Sequence, residues 1–93
     1  MAYMRSMKKR MIVFKAELLE TGDWWYASSR DLPRVFLHGA TLEELMERAG
    51  PVVEMFLKAE KRDVGPIQTR LEYGPDDQPR VVLDAVFEPA LAA

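Results

Sequence analysis

Between residues 11 and 19, MIVFKAELL, apolar and polar positions alternate: Ile12, Phe14, Ala16 and Leu18 share one side of an extended chain, Lys15 and Glu17 the other. That period predicts a half-buried strand. Glu20-Thr21-Gly22-Asp23 is turn chemistry, and the aromatic β-formers of WWYASS then resume the extended chain. A two-residue turn at Thr21 and Gly22 sets Leu18 opposite Trp25, Ala16 opposite Ala27 and Phe14 opposite Ser29, with Leu19, Trp24 and Tyr26 on the reverse face. A slip of one residue would exchange the faces.

Asp31-Leu32-Pro33 turns the chain, because Pro33 fixes its own φ and drives Leu32 toward an extended conformation. RVFLH reads as a third strand. Gly39 is expected to supply a backbone conformation closed to other residues, and Thr41 to start a helix. TLEE is a capping box: the Thr41 hydroxyl accepts from the Glu44 amide while the Glu44 carboxylate reaches back to the Thr41 amide. Leu42, Leu45, Met46, Ala49, Val53 and Phe56 follow at helical spacing, with Glu43, Glu44, Glu47, Arg48 and Glu54 on the other side. Pro51 cannot donate to the Glu47 carbonyl and crowds it, so a kink or a break with a second helical piece is expected there, and KRDVGP ends the helix. Ile67, Thr69, Leu71 and Tyr73 alternate with Gln68, Arg70 and Glu72. GPDDQP then turns into RVVLDAVF, whose Val81, Leu83, Ala85 and Phe87 form an inward face.

The predicted order is β-β-β-α-β-β, an α+β fold with an antiparallel-rich sheet. A single kinked helix covers one face of five strands. Residues 1–10 read as a basic arm, 11–88 as the domain and 89–93 as a tail. The face left bare carries Trp24, Tyr26 and Phe36, a patch of the kind that meets a partner or a second copy.

Composition narrows the chemistry. Cysteine is absent, which removes disulfides, thiolate nucleophiles and cysteine-based metal sites. No run approaches the roughly twenty apolar residues of a membrane span, and the apolar stretch after Lys8-Lys9-Arg10 meets Lys15 and Glu17 too soon for a signal peptide, so a cytoplasmic protein is expected. Arg5, Lys8, Lys9, Arg10 and Lys15 place +5 in the first 15 residues, whereas from residue 16 onward 8 basic residues face 15 acidic ones, a balance of −7. An acidic body disfavours phosphate backbones and suits a basic protein partner. The lone histidine, His38, lacks an HxxxH or HxH companion pattern, so no metal site is expected; Ser28 and Ser29 lack a glycine-flanked elbow. Glu17, Glu47 and Glu72 fall on separate elements and would have to converge to act as a two-metal nuclease does, but the alternation places them on polar faces. Stacking of bases on the tryptophans beside Arg30 and Arg34 is the nucleic-acid alternative. No cofactor is implied and no enzyme is expected.

WWYASSRDLPRVFLHGATLEELMERAGPVVEMFL resembles the HicB-like antitoxin superfamily, which typically shows an aromatic strand, an acidic-Leu-Pro-Gly turn and a Gly-(Asp)-Thr-x-Glu-Glu helix start. Asp31, Leu32 and Pro33 match the turn, and Gly39, Thr41, Glu43 and Glu44 match the helix start, over about residues 11–58. The resemblance implies a truncated ribonuclease H-like fold without catalysis, used in bacterial toxin–antitoxin pairs to bind a small basic toxin that cleaves messenger RNA. It implies a HicA-like toxin ribonuclease as partner and a homodimer or higher oligomer. The partner-binding residues are then expected among Trp24, Tyr26, Asp31, Leu32, Arg34 and Phe36. Arg34 stands where the family has glycine and Ala40 where it often has Asp, and the last thirty or so residues read as a hairpin rather than the family's DNA-binding module, so no direct DNA binding is expected. The alternatives are an orphan dimeric domain of the same fold that binds another protein or ligand, and a metal-dependent nuclease.

Overall fold

Strand β1 (Lys8–Leu18), β2 (Trp25–Ser28), β3 (Phe36–Gly39), helix α1 (Leu42–Ala59), β4 (Val64–Tyr73) and β5 (Pro79–Phe87) follow in that order in the computed structural model, which describes residues 7–88. The strands form one antiparallel sheet in the order β3-β2-β1-β5-β4, so β1 is central and α1 crosses from one edge strand to the other. The α+β class and the β-β-β-α-β-β order are those expected from the pattern. β1 begins at Lys8, so Lys8, Lys9 and Arg10, assigned above to a basic arm, pair with Phe87, Val86 and Ala85. The rest of that arm and the tail lie outside the described residues.

Leu18 pairs with Trp25 and Ala16 with Ala27, the expected register. The turn itself differs. Leu19 N–H donates to the Trp24 carbonyl at 2.8 Å and Gly22 N–H to the Leu19 carbonyl at 2.8 Å, closing a four-residue loop with Gly22 at φ +76°. Because both loops are centred between Thr21 and Gly22, the longer one leaves these pairs unchanged, but the expected pair of Phe14 with Ser29 does not form, since β2 ends at Ser28 and Val13 N–H turns to the Asp31 carboxylate.

The core lies between α1 and one sheet face. Ile12, Phe14 and Ala16 of β1, Ala27 of β2, Leu37 of β3 and Val81, Leu83, Ala85 and Phe87 of β5 pack there against Leu45, Ala49, Val53 and Leu57, which recur every fourth residue of the helix. Leu18, at the end of its strand, is exposed. The Thr41 side chain accepts from the Glu44 N–H at 3.1 Å, as the capping box requires, but the Glu44 carboxylate takes the Ala40 N–H at 2.8 Å instead of that of Thr41. Gly39 has no positive φ; a Cβ there would lie 2.9 Å from the Glu44 Cβ, so glycine is required for room, not for backbone conformation.

Helix α1 runs through Pro51 unbroken, which corrects the expected break and second piece. Pro51 is exposed, so the Glu47 carbonyl it cannot serve opens toward water, while Ala49 and Val53 on either side are held by the core. At the other end Lys61 adopts φ 60°, and Arg62 N–H to Leu57 C=O (3.0 Å) with Lys61 N–H to Lys58 C=O (2.9 Å) forms a Schellman cap.

Candidate functional site

One helix covers one side of the sheet, and the strand registers place the remaining side chains on the other. Across it run His38-Tyr26-Glu17, then Phe36-Ser28-Lys15-Arg80-Glu72, then Val13-Val82-Arg70 with Val82 buried, then Met11-Asp84-Gln68. Phe36 is 57% exposed, Met11 56%, Trp24 40% and Leu19 39%. These are large apolar side chains left about half exposed. Tyr26 donates its hydroxyl to the Glu17 carboxylate beside it, and that bond together with the carboxylate's charge raises the phenol pKa from its ordinary 10.0. Arg70 pairs with both Glu72 and Asp84 and reaches the Met11 sulfur at 3.6 Å. Cations and anions therefore interleave between the apolar groups.

Where β1 and β2 diverge, Val13, Lys15, Ser28, Arg30, Pro33 and Phe36 line an open groove of about 700 Å³. The Asp31 carboxylate closes one wall. It accepts the Val13 N–H at 3.1 Å, beyond the last β1–β2 pair, and the Ser29 hydroxyl at 3.4 Å, while Ser29 in turn accepts the Asp31 N–H at 3.1 Å. The turn between β2 and β3 is held by the Val35 N–H on the Leu32 carbonyl at 3.0 Å. Arg34 lies in that turn without a positive φ, so it bears no left-handed strain.

Of the residues expected to meet a partner, the sheet gathers Trp24, Tyr26 and Phe36 on the uncovered face. Asp31 borders that face at the groove beside Phe36, while Leu32 and Arg34 sit apart from it. Leu32 is only 6% exposed and belongs to the core, so its side chain is not presented at the surface. Asp31 is committed to the β1 backbone and to Ser29, and Arg34 lines a small hollow with Leu32, Phe56 and Glu60 on the helix side. Met11 was not singled out from the sequence, although its odd position on β1, in step with Lys15 and Glu17, was sufficient to place it on the bare face.

The acids considered for metal chemistry do not converge. Glu17 and Glu72 occupy different rows of the bare face, Glu47 is on the exposed side of α1, and no group of three His, Cys, Asp or Glu among the described residues is placed to hold a metal ion. Ser29 is buried against Asp31, and His38 stands opposite Tyr26 with its carbonyl accepting from Arg48 at 2.6 Å. No helix among the described residues is long and apolar enough to cross a membrane. No family model, curated protein or solved structure matches the chain.

Proposed function

We propose that the chain is an antitoxin-type binding module of the HicB-like kind, built on a truncated ribonuclease H-like fold, which binds and neutralises a small basic mRNA-cleaving toxin. The observation that carries the reading is the uncovered sheet face, where Trp24 and Phe36 are exposed beside Tyr26. Aromatic residues clustered in this way are the usual centre of a protein interface. The acidic balance of the chain beyond residue 15 adds long-range attraction for a basic partner. The resemblance in the Asp31-Leu32-Pro33 turn and the Gly39 to Glu44 helix start names the partner class.

Co-expression with a short basic protein of the proposed toxin class, sought in the reading frame adjoining that of the chain, tests this. The expected result is co-purification of the two, with growth arrest by the basic protein relieved by the chain. Recovery of the chain alone, with growth arrest unrelieved, contradicts it.

A second reading is an orphan domain that pairs with its own copy. It is favoured by the charge pattern of the bare face, where Lys15, Arg70 and Arg80 lie among Glu17, Glu72 and Asp84. A nearly balanced face fits a copy of itself as well as a basic partner. Concentration-dependent dimerisation by the chain alone, lost in Phe36→Ala, selects this reading when the basic protein is not bound.

A further inference from the structure

Strand β1 is staggered between its neighbours. It pairs with β5 over Lys8–Lys15 and with β2 only over Lys15–Leu18. Along its first half, therefore, no described strand occupies the flank on the β2 side. The direction of the backbone groups there is fixed by two hydrogen bonds: Leu19 N–H reaches Trp24 and Val13 N–H reaches the Asp31 carboxylate, both on that flank. Backbone groups alternate along a strand, so the N–H and C=O of Met11 and Lys9 point the same way, while those of Lys8, Arg10 and Ile12 turn to β5. Lys9 and Met11 thus offer a short, regular ladder to solvent.

Three features describe what would pair there. The gap is bordered by a hollow on each side of the sheet, one reached by Val13, Lys15 and Arg30 and the other by Arg10 and Met11, with Asp31 in both walls. The edge carries Lys8, Lys9 and Arg10 in succession, all exposed. A carboxylate, that of Asp31, already serves the adjoining N–H of Val13. A second copy of β1 would bring the same cations onto one ladder and is disfavoured by its charge. We propose that this flank of β1 receives an extended, acidic segment of another protein as an added strand, hydrogen-bonded to Lys9 and Met11 and flanked by Lys8, Lys9 and Arg10. The site is a strand edge and not the aromatic face, so the inference is independent of the toxin-binding reading.

The probe is a capped peptide of alternating Glu and Val, with an alternating Lys and Val peptide as control, followed by amide hydrogen exchange and by binding in low salt. The amides of Arg10 and Ile12 are expected to be protected from the start, and those of Lys9 and Met11 to exchange freely until the acidic peptide is added. Met11→Pro removes only the outward N–H and leaves the β5 ladder intact, so it should weaken binding about tenfold without lowering the thermal midpoint. Arg10→Pro breaks that ladder and lowers the midpoint. The same loss of affinity is expected for wild-type chain with a Glu-Val peptide N-methylated on the residues that face the edge, a comparison that stands even if Met11→Pro does not fold. The proposal is overturned if the acidic peptide leaves Lys9 and Met11 unprotected, if the Lys-Val peptide protects them equally, or if they are already protected in the free chain.

Discussion

The Asp31 carboxylate, expected among the partner-binding residues, also does structural work in this fold. It takes the Val13 N–H where β2 has ended and holds Ser29, so it replaces one rung of the missing ladder. Asp31→Ala leaves that amide without its carboxylate, and the expected loss is about 1–2 kcal/mol of unfolding free energy in a urea titration, with Asp31→Asn losing less because an acceptor oxygen remains. Tyr26 gives a spectroscopic handle on the bare face. Its phenol pKa is raised in the folded chain, first by the hydrogen bond to Glu17 and then by that group's charge. A raised pKa favours the protonated form, so the Tyr26–Glu17 contact contributes fully below the ordinary 10.0 and is lost as pH rises through the higher folded value. Glu17→Gln should return the Tyr26 titration, followed by phenolate absorbance, toward that ordinary value.

At the scale of elements, α1 shows how tertiary packing overrides a local signal. Pro51 forfeits one hydrogen bond in the middle of an 18-residue helix, yet Leu45, Ala49, Val53 and Leu57 keep both halves on one sheet face. Pro51→Ala restores the donor to Glu47 and is expected to raise stability by about 1–3 kcal/mol, read as a higher urea midpoint. Lys61 occupies the left-handed position of the Schellman cap at φ 60°. Lys61→Gly should therefore stabilise by about 0.5–1 kcal/mol. Strand order along the chain, the β1–β2 register and the capped helix start were legible because each rests on local alternation or a short-range hydrogen bond. The loop at Gly22, the unbroken passage through Pro51 and the reason for Gly39 were not. Each depends on what packs across the element, and for Gly39 that is the Glu44 side chain returning from the first turn of α1. The candidate face was legible in the same measure: alternation placed Trp24, Tyr26 and Phe36 together, whereas Leu32 sits in a turn with no period to show that it folds inward.

At the scale of the molecule the decisive fact is that the described residues set one helix against a five-stranded sheet. The covered face holds the clustered core residues of every strand but β4, whose Ile67 and Leu71 pack at its margin, and the other face holds exposed aromatics in a field of mixed charge, with Val82 alone buried on it among the strand residues described. Stability and recognition are thus carried by opposite faces of the same strands, and neighbouring residues of one strand should separate them. Leu37→Ala opens the core and should cost about 2–5 kcal/mol, while Phe36→Ala, one residue away and facing outward, should change the unfolding free energy by less than about 1 kcal/mol and act instead on association. The most direct test of the account is RNA cleavage by a small basic mRNA-cleaving toxin of the proposed class, titrated with wild type and with the Trp24→Ala/Phe36→Ala double variant. Wild type is predicted to stop cleavage near equimolar addition, and the folded double variant to leave it running; cleavage unaffected by excess wild type, or stopped equally by the variant, would contradict the account.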